Sequence, residues 1–261
     1  MALNYPKFVL FGDSITEFSA ARDGSGLVAS LVDDYRTRMD VVLRGYSGYN
    51  SRFAVEILPP ILQGLDNVKL MYIFFGTNDA NMYTDKIGRK QATTIEEYSE
   101  NIAECIDYAK GRGIKVIVVG PALHDANLSY DYFKQRNPER NITGPSSSPM
   151  RNREYSQAAK AVATQKNVPF LDLWLRFQEA SGYSIDQLDY NNWKDCPNLS
   201  KWLVDGVHFS FEGYRLFYEG LLEVIKTSYP ELAPENVPTK LRYYREIDES
   251  NLSSIFDMSQ S

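Results

Sequence analysis

Short apolar runs recur along the chain, separated by longer stretches whose apolar positions follow a helical spacing. The runs are Phe8–Phe11, Val41–Leu43, Leu70–Phe75, Val116–Val119 and Val168–Leu171. Each is β-branched or aromatic and apolar at consecutive positions, the pattern of a strand covered on both faces. Between them the spacing predicts helices near residues 25–38, 51–63, 94–111 and 151–166, with a last one near 211–228. Thr94 and Glu97 have the spacing of a capping box, and Gly111 or Gly113 suits the end of that helix. The alternating order predicts a mostly parallel sheet with helices on both faces, built as one domain over residues 1–228.

Two segments break the rhythm. Residues 122–150 are polar and interrupted by Pro and Gly, and residues 181–203 are rich in Tyr, Asn and Trp. Both read as long loops, and loops of that length in a compact domain are functional or disordered. The aromatics of the second favour an ordered loop. A Pro-spaced tail, residues 229–261, follows. It is suited to packing on the domain or on a second subunit, which permits a homodimer, and its last ten residues are expected to fray.

The bulk numbers narrow the classes. The chain has 261 residues, 43% hydrophobic and 24% charged, enough to bury a sizeable core. A formal charge of −6 argues against nucleic acid or an anionic membrane surface as the main partner. No apolar stretch approaches the length of a membrane span. The first apolar run is too short for a secretory leader, so the cytoplasm is the expected compartment and the four N-x-S/T triplets, starting at Asn127, Asn141, Asn198 and Asn251, are chance matches. Two cysteines make no disulfide framework, and Cys105 reads as a small buried hydrophobe.

The chemistry gathers where the strands end. The first run exits into "GDSI", the second into "RGYSGYN", the third into "GTNDA". In an open parallel sheet, ligands bind beyond the carboxyl ends of the strands. Ser14 is a candidate nucleophile if a base can reach it. Only two histidines exist. His208, in "DGVHFS", lies three residues after Asp205, so one short turn can hold both, with Asp205 orienting the imidazole. Asp205 and Ser210 could instead be capping groups of the next helix. His124, in the polar segment, reads as a solvated loop residue. The backbone N–H groups of Ser14 and Gly48 and the side-chain amide of Asn78 are candidate donors to an oxyanion. Asp13 and Asp79 read as residues that hold their turns, and Trp193, Trp202 and Phe209 either as pocket walls or as loop and helix packing. There is no G-x-S-x-G elbow, because Tyr49 stands where its last glycine would be, and no phosphate loop. Two distant histidines without a cysteine pair argue against a zinc site.

Taken in order, "GDSIT", Gly48 in "GYSGYNS", "GTND" and "DGVH" resemble the four blocks of the SGNH hydrolases, or GDSL esterases/lipases. The blocks span residues 12–208. "LPPIL", "VPFLDL" and "DGVHFSFEGYRLF" bring the resemblance closer to a branch acting on acetate esters. It implies a flavodoxin-like three-layer α/β/α fold with a five-stranded parallel sheet. It implies Ser14, Asp205 and His208 as catalytic residues, with Ser14, Gly48 and Asn78 as the oxyanion hole, and no metal or organic cofactor. The expected substrate is a small short-chain ester. An acetylated carbohydrate, a lysophospholipid and a non-catalytic binding role on this scaffold are the alternatives, since the two long loops can reshape the pocket.

Overall fold

The computed structural model describes residues 3–21 and 26–256. Residue 25 of the first expected helix, and the end of the tail expected to fray, lie outside the described residues. The strands are β1 (Lys7–Gly12), β2 (Asp40–Gly45), β3 (Val68–Phe74), β4 (Lys115–Val119) and β5 (Phe170–Leu171). Around them run α1 (Ser14–Phe18), α2 (Leu27–Asp34), α3 (Ser51–Gln63), α4 (Lys86–Gln91), α5 (Ile95–Lys110), α6 (Ala126–Arg136), α7 (Pro149–Gln165), α8 (Leu173–Ser181), α9 (Ile185–Leu188) and α10 (Phe211–Ser228). Among the described residues no helix is long and apolar enough to cross a membrane.

The sheet is parallel, in the order β2-β1-β3-β4-β5. β1 pairs on both sides, Gly12 standing opposite Gly45 of β2 and Phe74 of β3. The winding therefore reverses at β1, and the crevice beyond its carboxyl end is where such a sheet opens. Side chains alternate between two cores. Phe8, Leu10, Leu70, Tyr72 and Phe74 join residues of α2, α8 and α10. Val9, Phe11, Met71 and Ile73 join residues of α3, α5 and α7. These strands are buried on both faces, which is why they read as continuous apolar runs.

Each of the expected long loops contains helical segments. Residues 122–150 contain α6, whose first turn Asp125 caps by accepting from Leu128 N, and the start of α7, capped by Ser148 with Pro149 in its first turn. Proline at that position starts a helix rather than breaking one. Residues 181–203 contain α9, closed by a Ser184–Gln187 capping box, and a 3₁₀ turn at Trp193–Asp195. The two segments pack on each other. Asp125 Oδ2 accepts from Leu199 N at 2.9 Å. Asn127 Nδ2 reaches the carbonyls of Lys194 and Cys196, and the rings of Tyr130 and Trp193 lie 4.7 Å apart. The fifth strand is shorter than expected. Pro169 contributes only its carbonyl, which accepts from Val118 N, and Asp172 already caps α8.

After α10 the chain turns back over the domain. Tyr35 donates its hydroxyl to Leu232 O at 2.8 Å, and Arg38 donates to Val237 O. Ala233 and Val237 are buried in the core shared with α2 and α10.

Candidate active site

β1 delivers Gly12, Asp13 and Ser14 at the switch point. Asp13 is the N-cap of α1, its Oδ1 accepting from Ile15 N at 2.9 Å, so it holds the turn as expected. Burial pushes its carboxyl up to about 7, and Oδ2 has no hydrogen-bond partner among the described residues. Ser14 is the first residue of α1, where backbone N–H groups have no intrahelical acceptor. One turn on, Glu17 accepts from Ser47 N at 2.6 Å and from Ser47 Oγ at 2.7 Å. That carboxylate ties the serine turn to the loop after β2.

His208 arrives from the far end of the chain. A tight loop closed by an antiparallel bridge between Leu203 and Phe209 turns through Gly206, whose φ of +86° is open to glycine. Within it Asp205 Oδ1 accepts from Val207 N and His208 N, at 3.1 and 2.8 Å. Asp205 Oδ2 lies 2.7 Å from His208 Nδ1, and His208 Nε2 lies 2.9 Å from Ser14 Oγ. Burial alone would raise the Asp205 carboxyl, but the bonds from the His208 ring and from the loop backbone outweigh it and hold the group below its usual value. An ionised Asp205 requires a proton on Nδ1. Nε2 then offers its lone pair to the Ser14 hydroxyl. The ring of Phe18 packs against His208, with centroids 4.9 Å apart. Ser210 does cap α10, accepting from Gly213 N, while Asp205 is committed to His208.

Ser14, Gly48, Asn78 and His208 line one cleft of about 480 Å³. Gly48 has φ +77°, a conformation that glycine adopts without strain. Among the described residues nothing accepts from the N–H of Ser14 or of Gly48. Asn78 Nδ2 gives one hydrogen to Tyr49 O at 2.8 Å and keeps the other. Asp79 is buried, and burial pushes its carboxyl up to about 6. It accepts from Ser51 N, Ser51 Oγ and Thr93 Oγ1, so it pins the loop after β3 to the starts of α3 and α5.

One expectation needs correction, and one open choice is decided in favour of packing. His124 is buried, not solvated, because α6 folds over it. Its Nε2 lies 2.8 Å from Ser129 Oγ, Cys196 covers its carbonyl, and burial pushes the imidazole down to about 3, so the ring is neutral. Trp193, Trp202 and Phe209 are not cleft walls. Trp202 and Phe209 belong to the core, and Trp193 packs on Tyr130. The walls are instead Phe18 of α1, Tyr132, Phe133 and Arg136 of α6, and Gln91 of α4. Sequence reasoning passed over these because α4 and α6 were not foreseen. A usable signal existed in Asp85 and Asp125, each a capping residue three positions before a helical backbone N–H that it accepts.

The molecule is thus a doubly wound α/β/α protein with a site laid out on the plan of a serine hydrolase. Residues 10–216 match the GDSL-like lipase/acylhydrolase family. The chain belongs to that family and is an ester hydrolase. It is 34% identical over 261 residues to the isoamyl acetate-hydrolyzing esterase of Saccharomyces cerevisiae, with 97% of this chain and 100% of that protein covered. It is 31% identical to the isoamyl acetate-hydrolyzing esterase 1 homolog of Bos taurus, covering 95% of this chain and 90% of that one. Among solved structures, a mutant of the acetyl-xylooligosaccharide esterase from Geobacillus superposes with a TM-score of 0.60 at 20% identity, over 86% of this chain and 96% of that one.

Proposed function

We propose that the protein hydrolyses short-chain carboxylic esters, acetates above all, through an acyl-enzyme on Ser14. The observation that carries this reading is the unbroken relay from Asp205 through His208 to Ser14 Oγ, at 2.7 and 2.9 Å. As Oγ attacks the ester carbonyl carbon, its proton passes to His208 Nε2 and the carbonyl electron pair moves onto oxygen. The N–H groups of Ser14 and Gly48 and the free Nδ2 hydrogen of Asn78 receive that oxyanion. Collapse expels the alkoxide, which takes the proton from Nε2. Water then repeats the sequence on the acyl-serine and releases the acid. Electrons and protons balance on these groups and water alone. The preference for acetate rests on the two relatives named for isoamyl acetate hydrolysis.

An acetylated sugar or polyol is the second reading. The polar residues Asn81, Gln91, Asn137 and Ser146 in the cleft lining favour it.

The test is hydrolysis of p-nitrophenyl esters from acetate to long chains, by wild type and Ser14→Ala. Activity should fall with acyl length, and the variant should lose on the order of 10⁴-fold or more in kcat/KM. Full activity in Ser14→Ala would sink the mechanism. An acetylated xylooligosaccharide beside isoamyl acetate separates the two substrate readings.

A further inference from the structure

The loops after β2 and β3 are bridged by a side chain that stands outside the relay. Gln91, the last residue of α4, donates from Nε2 to Gly48 O at 3.1 Å and lies 3.4 Å from Asn78 Oδ1. Its Oε1 accepts from Asn81 Nδ2 at 3.0 Å, which fixes the orientation of the Gln91 amide. The helix that carries it is anchored in turn. Asn50, the N-cap of α3, donates from Nδ2 to the carbonyls of Lys90 and Gln91, at 3.3 and 2.6 Å.

Both acceptors of Gln91 Nε2 belong to residues proposed as oxyanion donors. An Asn amide can present either an NH₂ or a carbonyl to the cleft, and the two arrangements have opposite effects on a developing oxyanion. With Oδ1 held toward Gln91 and one N–H on Tyr49 O, Asn78 has a single N–H left to offer. Reversed, it would turn a lone pair on the oxyanion. At Gly48, a residue with wide backbone freedom, the bond to the carbonyl holds the Gly48–Tyr49 peptide plane and so limits the rotation of the turn that carries the Gly48 N–H. The cleft lies beside this network, since Asn81 and Gln91 both line it.

We infer that Gln91, backed by Asn81, is the positioning residue of the oxyanion hole, keeping Gly48 and Asn78 with their donors toward the substrate. This inference rests on the proposed ester hydrolysis at Ser14. Loss of the Gln91 donor weakens binding of the oxyanion and leaves binding of the neutral ester unchanged, so it appears in kcat and not in KM.

The experiment compares wild type, Ser14→Ala, Gln91→Leu, Gln91→Glu, Asn78→Ala and the Asn78→Ala/Gln91→Leu double variant on p-nitrophenyl acetate. Gln91→Leu should lose roughly 10- to 100-fold in kcat, below the cost of deleting a donor outright, with KM within about threefold of wild type. The double variant should lose less than the product of the two single losses. Gln91→Glu keeps the shape and serves if the leucine variant does not fold. Its carboxylate has no hydrogen to give, so its rate relative to wild type should climb as the pH is lowered from about 7 to 5 and the carboxyl regains a donor. Near wild-type kcat in both variants, multiplicative losses, a change confined to KM, or a pH-independent Gln91→Glu ratio would each overturn the inference. Ser14→Ala separates the two layers. If it is fully active the reaction reading fails; if it is dead while the Gln91 variants are normal, only the positioning role falls.

Discussion

Asp13, which precedes Ser14, is buried, with one oxygen capping α1 and the other unpartnered. Its folded-state carboxyl sits at about 7 because burial disfavours the charge. The folded protein therefore binds this proton more tightly than the unfolded chain, where an aspartate titrates near 4. Below that pH the group is protonated in both states and contributes no pH dependence. From about 4 to about 7 the unfolded chain has lost the proton and the folded one has not, so stability falls as pH rises, with the full cost above about 7. Asp79, raised to about 6, acts in the same direction over a narrower window. Asp13→Asn keeps the cap acceptor and removes the charge. Denaturant melts at pH 4.5 and 8 should show its stability improving relative to wild type as the pH rises. A difference that is constant across that range would refute the assignment. The turn role of Asp13 was legible from "GDS", because Asp before a short helix is a common cap. Its unpartnered oxygen was not, since the burial of a single atom depends on how separate elements close over it.

The elements divide by where their stability comes from. The strands and α3, α5, α7 and α10 were readable because each carries apolar residues at its own period, or caps beside it. Even so, the capping box foreseen at Thr94 is half made. Thr94 Oγ1 accepts from Glu97 N, but the Glu97 carboxylate goes to Arg52 on α3. α8 was not foreseen, although Leu173, Trp174 and Phe177 are buried along it. α6 gives no such stripe. Its buried residues are Ala126 and Ser129, and it is held by residues 193–199 across a wide sequence gap. That helix nevertheless sets one wall of the cleft, through Tyr132 and Phe133. Phe133→Ala should raise KM for isoamyl acetate by about tenfold, equivalent to about 1.4 kcal/mol, and leave KM for methyl acetate nearly unchanged. Equal shifts for the two esters would place the alcohol group elsewhere.

At the scale of the whole molecule, the segment after Tyr229 covers part of the core. Tyr35 is buried and gives its hydroxyl to Leu232 O, while Ala233 and Val237 complete the apolar layer beside α2. Ending the chain after Tyr229 strips that cover and leaves a buried phenol without an acceptor, a loss of about 1–3 kcal/mol for the hydrogen bond alone. Ending it after Thr239 keeps both. Thermal melts should show a clear drop for the first truncation and little for the second. Equal melting would mean that residues 230–239 add nothing to the domain. The four-block order was legible along the chain. What no local pattern could show is that α4 and α6 fill the space between those blocks.

The relay joins Ser14 to His208 across 194 positions of chain. During synthesis the hydroxyl leaves the ribosome early and its imidazole partner late. At roughly 5–20 residues per second that interval is about 10–40 s. Throughout it the nascent polypeptide carries Ser14 without His208. On the proposed mechanism, cleavage of esters therefore begins only once residue 208 has been made and folded into place, and a chain cut short before it is inactive.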